Sequence, residues 1–192
     1  MKVLIACEFS GTVRDAFLKR GHDAWSCDLL PCESTYSKNH LQCDVLTVIN
    51  QGWDLMIAHP PCTHLAVSGA RWFHKKQKEQ LDALKFVKAL LDAPINKIAL
   101  ENPISIISSK IKKSDQLIQP WQFGHPEAKA TCLWLKNLPK LVATNILNKP
   151  ANGRWDNQTP NGGNRVGEQK NRWKLRSKTY QGIADAMAAQ WG

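Results

Sequence analysis

The chain has 192 residues, 43% of them hydrophobic, and 26 Lys and Arg against 16 Asp and Glu give it a formal net charge of +10. That length supports one domain with a real core, and no apolar run approaches the roughly 20 residues of a membrane span. Its six cysteines form no CxxC pair, which argues against a disulfide framework, a zinc site and zinc-dependent pyrimidine deamination; no metal and no membrane partner are expected.

Residues 2–7 are apolar, as in a strand buried on both faces. Their early charge and short length do not suit a secretion signal, so the cytoplasm is the expected location. Gly11 opens a helix over Thr12–Arg20, with Val13, Ala16 and Phe17 at helical spacing and Gly21 as its stop. His22–Cys27 predicts a second strand, Pro31–His40 a loop, and Asp44-Val45-Leu46 a third strand. Residues 53–58 predict a fourth strand, 59–72 a loop and Lys75–Asp92 a helix stopped by Pro94. Strands five and six fall at 97–101 and 131–135, and a final helix at Thr179–Trp191. Alternating strands and helices imply a mostly parallel α/β sheet with right-handed crossovers.

In such a sheet ligands bind at the carboxyl ends of the strands. Phe9, Ser10 and Gly11 follow strand one, Asp28 ends strand two and Asp44 stands at strand three. Together they describe a nucleoside pocket, with Asp28 for ribose hydroxyls and Asp44 for an exocyclic amine. A GxGxxG fingerprint is absent. Pro60-Pro61-Cys62 follows strand four, where two prolines stiffen the loop that aims the thiol. His59, His64 and Arg71 are candidates for drawing it toward the thiolate. Glu101-Asn102-Pro103 ends strand five, and a Glu held protonated there could donate to a ring nitrogen. Read singly, each of these features equally suits a turn, a cap or a buried structural residue.

Residues 143–173 lack periodicity and are rich in Asn, Gly, Pro and cations. From Lys149 to Lys178 eight basic residues face only Asp156 and Glu168, interleaved with Trp155 and Trp173, a composition suited to a polyanion. The chain is therefore divided into a core (1–142), an irregular insert (143–173) and a closing helical segment (174–192).

In order and spacing, Phe9-Ser10-Gly11, Asp28, Asp44, Pro60-Pro61-Cys62, Ser68-Gly69, Glu101-Asn102-Pro103 and the terminal Thr179–Met187 resemble the DNA (cytosine-5) methyltransferases. The resemblance implies a Rossmann-like methyltransferase fold, S-adenosylmethionine as cofactor and double-stranded DNA as partner. It implies Cys62 as nucleophile on C6 of a flipped-out cytosine, Glu101 at N3 and the 4-amino group, and methyl transfer to C5. Phe9, Ser10, Gly11, Asp28, Asp44 and Pro60 would hold the cofactor. Period-two spacing sets His125, Glu127 and Lys129 on one side ahead of strand six, and Lys129 would replace the arginine that contacts the cytosine O2. Ser68, Arg71, Arg154, Trp155, Arg165, Arg172 and Trp173 would touch DNA, the later five as a minimal target-recognition module. Val13 and Arg14 stand where the family has further glycines, Thr63 where it has Gln after the cysteine, and Ala184-Asp185-Ala186 where it has Gly-Asn-Ala. This compactness is similar to small phage-borne members, which work in the host cytoplasm. Two alternatives stay open: the same chemistry on an RNA cytosine, and a catalytically silent DNA-binding relative.

Overall fold

A computed structural model describes residues 1–161 and 172–192. Seven strands form one sheet in the order β3-β2-β1-β4-β5-β7-β6. They are β1 (Lys2–Ala6), β2 (Asp23–Asp28), β3 (His40–Gln42), β4 (Leu55–Ala58), β5 (Lys97–Pro103), β6 (Gln116–Ile118) and β7 (Thr131–Lys136). The first five run parallel, and β7 inserts antiparallel between β5 and β6. This is the mostly parallel, Rossmann-like α/β architecture that the sequence predicts.

The strands separate two cores because side chains alternate across a pleated sheet. Val3, Ile5, Leu55, Ile57, Ala99 and Leu133 point to the layer that holds α1 (Thr12–Lys19) and α5 (Gln181–Trp191). Leu4, Ala6, Met56, Ala58, Ile98, Leu100 and Trp134 point to the other, against α2 (Gln77–Leu91) and α3 (Ile107–Lys110). Helix α5 buries Ile183, Ala184, Met187 and Ala188, the face its spacing predicts. Helix α2 buries Val87 and Leu90 and leaves Leu81 exposed.

Several further elements differ from the sequence reading. Asp44-Val45-Leu46 is not a strand: Asp44 accepts the Leu46 N–H at 3.0 Å and caps a 3₁₀ turn over Val45–Thr47. The third strand lies just upstream, beginning at His40 where the segment read as loop ends. Strand β6 and α3 were not anticipated, and the loop after Cys62 closes into 3₁₀ structure over Val67–Lys75. Helix α4 (Arg172–Ser177) begins inside the stretch read as irregular.

Arg14 replaces a glycine of the resembled family with a clamp. Fully buried, it donates to Ser26 Oγ at 2.8 Å and pairs with Asp15. Gly11 lies against it at φ 75°, where a Cβ would meet Arg14 Nη2 at 2.4 Å and Ser34 Cβ at 2.7 Å. Gly182 is tighter still: a Cβ there would stand 2.0 Å from the Phe123 carbonyl oxygen. Gly182→Ala must therefore displace backbone, costing about 2 kcal/mol. A thermal melt should show Tm lower by roughly 5 °C, while Gly69→Ala, with open space at its Cβ, leaves it unchanged.

Candidate active site

The order of strands reverses between β1 and β4, the place where an open α/β sheet binds ligands. A cavity of about 40 Å³ lies there. Its walls are Cys7 to Ser10 after β1, His59 after β4, and Ser177 and Thr179 from the segment joining α4 to α5. The chain thus returns at its end to the tip of its first strand.

Glu8 shapes the loop after β1. Its carboxyl accepts the Val13 N–H at 2.7 Å and the Arg14 N–H at 3.2 Å, capping α1 from below. Burial raises its pKa in spite of these bonds and of the nearby His59. Phe9 is buried under Trp173, with ring centroids 6.0 Å apart. Asp28 accepts the Leu30 N–H at 2.9 Å through Oδ1. Asp28 and Asp44 both act on the Cys7 thiol, whose pKa is driven up first by burial and then by their charges. The carboxylates at the tips of β2 and beyond β3 therefore share one neighbourhood with the β1 tip. Each uses Oδ1 for its turn bond, to Leu30 and Leu46 respectively. Pro60 contributes differently from expectation. It is buried, and its carbonyl is taken by Asn102 Nδ2 at 2.9 Å.

That Asn102 bond ties the thiol loop to β5. Leu65 and Ala66 donate to the Cys62 carbonyl at 3.0 and 2.9 Å, and Val67 donates to Ile104 at 3.1 Å. The loop is thereby stitched along β5, which brings Cys62 beside Glu101. Cys62 is the one exposed cysteine of the six. Desolvation, then the Glu101 charge, raise its thiol above the ordinary value. The cations that oppose this are Lys129 and Arg176, in place of the His64 and Arg71 anticipated.

Glu101 is mostly buried and its Oε2 lies 3.1 Å from His59 Nδ1. Burial alone would raise its pKa. The His59 hydrogen bond and charge, with Lys129, more than offset that and hold it below the usual carboxylate range. The expectation of a protonated Glu101 is thus corrected, because the sequence hid the histidine 42 residues upstream.

Residues 125–130 form no strand, and His125, Glu127 and Lys129 all reach the closing segment. His125 Nε2 accepts the Gly182 N–H at 2.9 Å, the Tyr180 hydroxyl donates to Glu127, and Lys129 Nζ donates to the Arg176 carbonyl at 2.8 Å. The three fasten the closing segment over the cavity, and Lys174 and Lys178 add a second tether to Glu33 at 3.0 and 2.7 Å.

The residues expected on DNA divide. Ser68 and Arg71 are exposed on the 3₁₀ segment beside Cys62. Trp155 is corrected: it is buried and stacked on Trp121, with centroids 5.8 Å apart and planes within 3°. It anchors residues 143–161, which lie along 121–128, as where Leu147 donates to Trp121 at 2.9 Å. Arg154 is half-buried, and Trp173 is exposed but sits at Phe9, on the nucleoside side. Arg172 opens α4, and Arg165 lies outside the described residues. The residue the sequence reading missed is Trp72. It is 47% exposed, with Arg71 and Lys75 at 5.2 and 5.5 Å from its ring. Its signal was the run Arg71-Trp72-Phe73-His74-Lys75, aromatic residues among cations.

No protein-family profile matches the chain, and no curated protein matches it. Among solved structures it is similar to a prophage-encoded E. coli protein described as a candidate DNA modification methyltransferase. The two share 13% identity and a TM-score of 0.47 over 80% of this chain. The similarity spans 54% of the other protein, about half its length. Among the described residues no helix is long and apolar enough to cross a membrane, and no cluster of His, Cys, Asp and Glu could hold a metal.

Proposed function

We propose that this chain is a methyltransferase that uses S-adenosylmethionine to methylate C5 of cytosine in DNA. One observation carries the reading: an accessible thiol lies close enough to a mostly buried carboxylate to feel its charge, beside the switch point of an open α/β sheet. Bound S-adenosylmethionine supplies an electrophilic methyl group. Asp28, Asp44 and the Phe9-Ser10-Gly11 turn hold its nucleoside, and Ser177 and Thr179 close over it.

The protein's own work is on the base. Cys62 is exposed on a loop pinned by Asn102, so the attacking sulfur needs little reorganisation. A thiolate adds to C6 from one face of the ring. Glu101 meets the N3 and 4-amino edge in the ring plane. The base must leave its stack for both to reach it, which costs a few kcal/mol. Residues 143–173 are the proposed target-reading region, with Arg154 for a phosphate. Binding of that kind weakens steeply with salt.

The cation-flanked Trp72 supports a nucleic acid as substrate. Trp72→Ala should weaken duplex binding by about 1–3 kcal/mol, measured by fluorescence anisotropy, and leave cofactor binding unchanged. The reading as a whole is tested by incubating plasmid DNA with the protein and labelled S-adenosylmethionine, then bisulfite-sequencing the product. Label on transfer RNA but not on plasmid would move the substrate to RNA. Cofactor that does not bind, with duplex binding intact, would mark a silent relative.

A further inference from the structure

His59 is the buried group that this chemistry leaves without a task. Only 7% of its side chain is exposed. Its backbone N–H donates to the Ala6 carbonyl at 2.9 Å, fixing the ring between the tips of β1 and β4. Nδ1 lies 3.1 Å from Glu101 Oε2, and an ionised carboxylate can only accept, so Nδ1 carries the hydrogen. Nε2 is buried without a hydrogen-bond partner among the described residues. On the other side stands the buried Glu8 carboxyl, which feels the His59 charge. One imidazole thus sits among two acids, and the catalytic loop grows directly out of it.

Addition to cytosine makes a demand that Glu101 alone cannot meet. As sulfur bonds to C6, the C5–C6 π pair shifts and negative charge gathers toward N3. N3 then needs a proton, and an ionised carboxylate has none to give. We propose that His59 is the proton reserve of Glu101: in its imidazolium form it gives the Nδ1 proton to the Glu101 carboxylate, and the carboxylic acid so formed passes that proton to N3. This inference rests on the cytosine reading above. The S–C6 and N3–H bonds form, the Nδ1–H bond breaks, and the imidazole is left neutral. The transfer reverses when the thiolate departs. His59 is a positioning and proton-supplying residue, since it acts through Glu101 and not on the base. The charged groups around the pair are Glu8 after β1, Lys129 ahead of β7, Arg176 on α4 and Cys62 in its own loop.

The test measures the rate at which Cys62 becomes covalently attached to a duplex carrying 5-fluorocytosine, with S-adenosylmethionine present, across pH. In the unmodified protein the rate should rise as the thiol ionises, then fall about tenfold per pH unit once the pair has lost its transferable proton. His59→Asn keeps an N–H near Nδ1 to orient Glu101 but holds no proton to release. Its adduct should form about 100-fold more slowly near pH 8, with the falling limb moved to lower pH. His59→Gln, which leaves no donor at the Nδ1 position, should be slower still. A His59→Asn profile equal to the unmodified one in rate and shape would overturn the inference. So would an unmodified protein whose rate shows no falling limb, a check that needs no variant. If the unmodified protein forms no adduct with fluorinated DNA or RNA, the cytosine reading itself fails, which is a separate result.

Discussion

On the proposed mechanism, Cys62→Ser should abolish methyl transfer, by on the order of 10⁴-fold or more, while the affinities for S-adenosylmethionine and duplex should stay essentially as they were. A serine hydroxyl occupies the same place on the same pinned loop but scarcely ionises. The loop's bonds run through backbone atoms and Asn102, so the variant folds as the unmodified protein does. The measurement is tritium transfer to duplex DNA under single-turnover conditions, with calorimetry for the two ligands. Substantial turnover by the serine variant would sink the covalent route. Alkylation gives a companion check. Cys7 and Cys27 are shielded, with burial driving their thiols up, the latter to about 12. Cys32 and Cys43 are half-exposed, so iodoacetamide labelling is followed site by site, and methylation should stop as Cys62, the one exposed thiol, is labelled.

The parts of this fold that were legible from sequence are those whose burial is two-sided. Strands β1, β4 and β5 lie in the middle of the sheet and read as unbroken apolar runs, because both of their faces need cover. The edges were not legible for the same reason. Strands β3 and β6 are three residues each, half-exposed, and carry polar residues such as His40, Gln42 and Gln116. Asp44-Val45-Leu46 looked more strand-like than its neighbour, yet its aspartate was serving a turn. Chemistry followed the same divide. The thiol and the acid could be found because each ends a central strand. The partner that sets the acid's charge could not, since His59 reaches Glu101 only after β4 and β5 have paired. Trp155 misled for a related cause: an aromatic among cations is the composition of a binding surface, and only tertiary stacking on Trp121 shows it to be an anchor.

Glu101→Gln separates two effects that a simple loss of function would merge. Glutamine fills the same volume, and its amide oxygen can still accept from His59 Nδ1, so the fold holds. It cannot deliver a proton to N3, and methyl transfer should fall by about 10²–10⁴-fold. The thiol should respond in the opposite sense. The Glu101 charge is one of the two causes that hold the Cys62 pKa above its ordinary value. Removing it lowers that pKa, so more thiolate is present at neutral pH. The variant should react faster with iodoacetamide while it methylates more slowly. A carboxylate that merely braced the loop would produce no such division, because loosening the loop gives no electrostatic reason for a more acidic thiol. Parallel alkylation and methylation assays on the same preparation distinguish the cases. A drop in both rates together would place Glu101 in the scaffold, and a rise in one against a fall in the other would place it at the base.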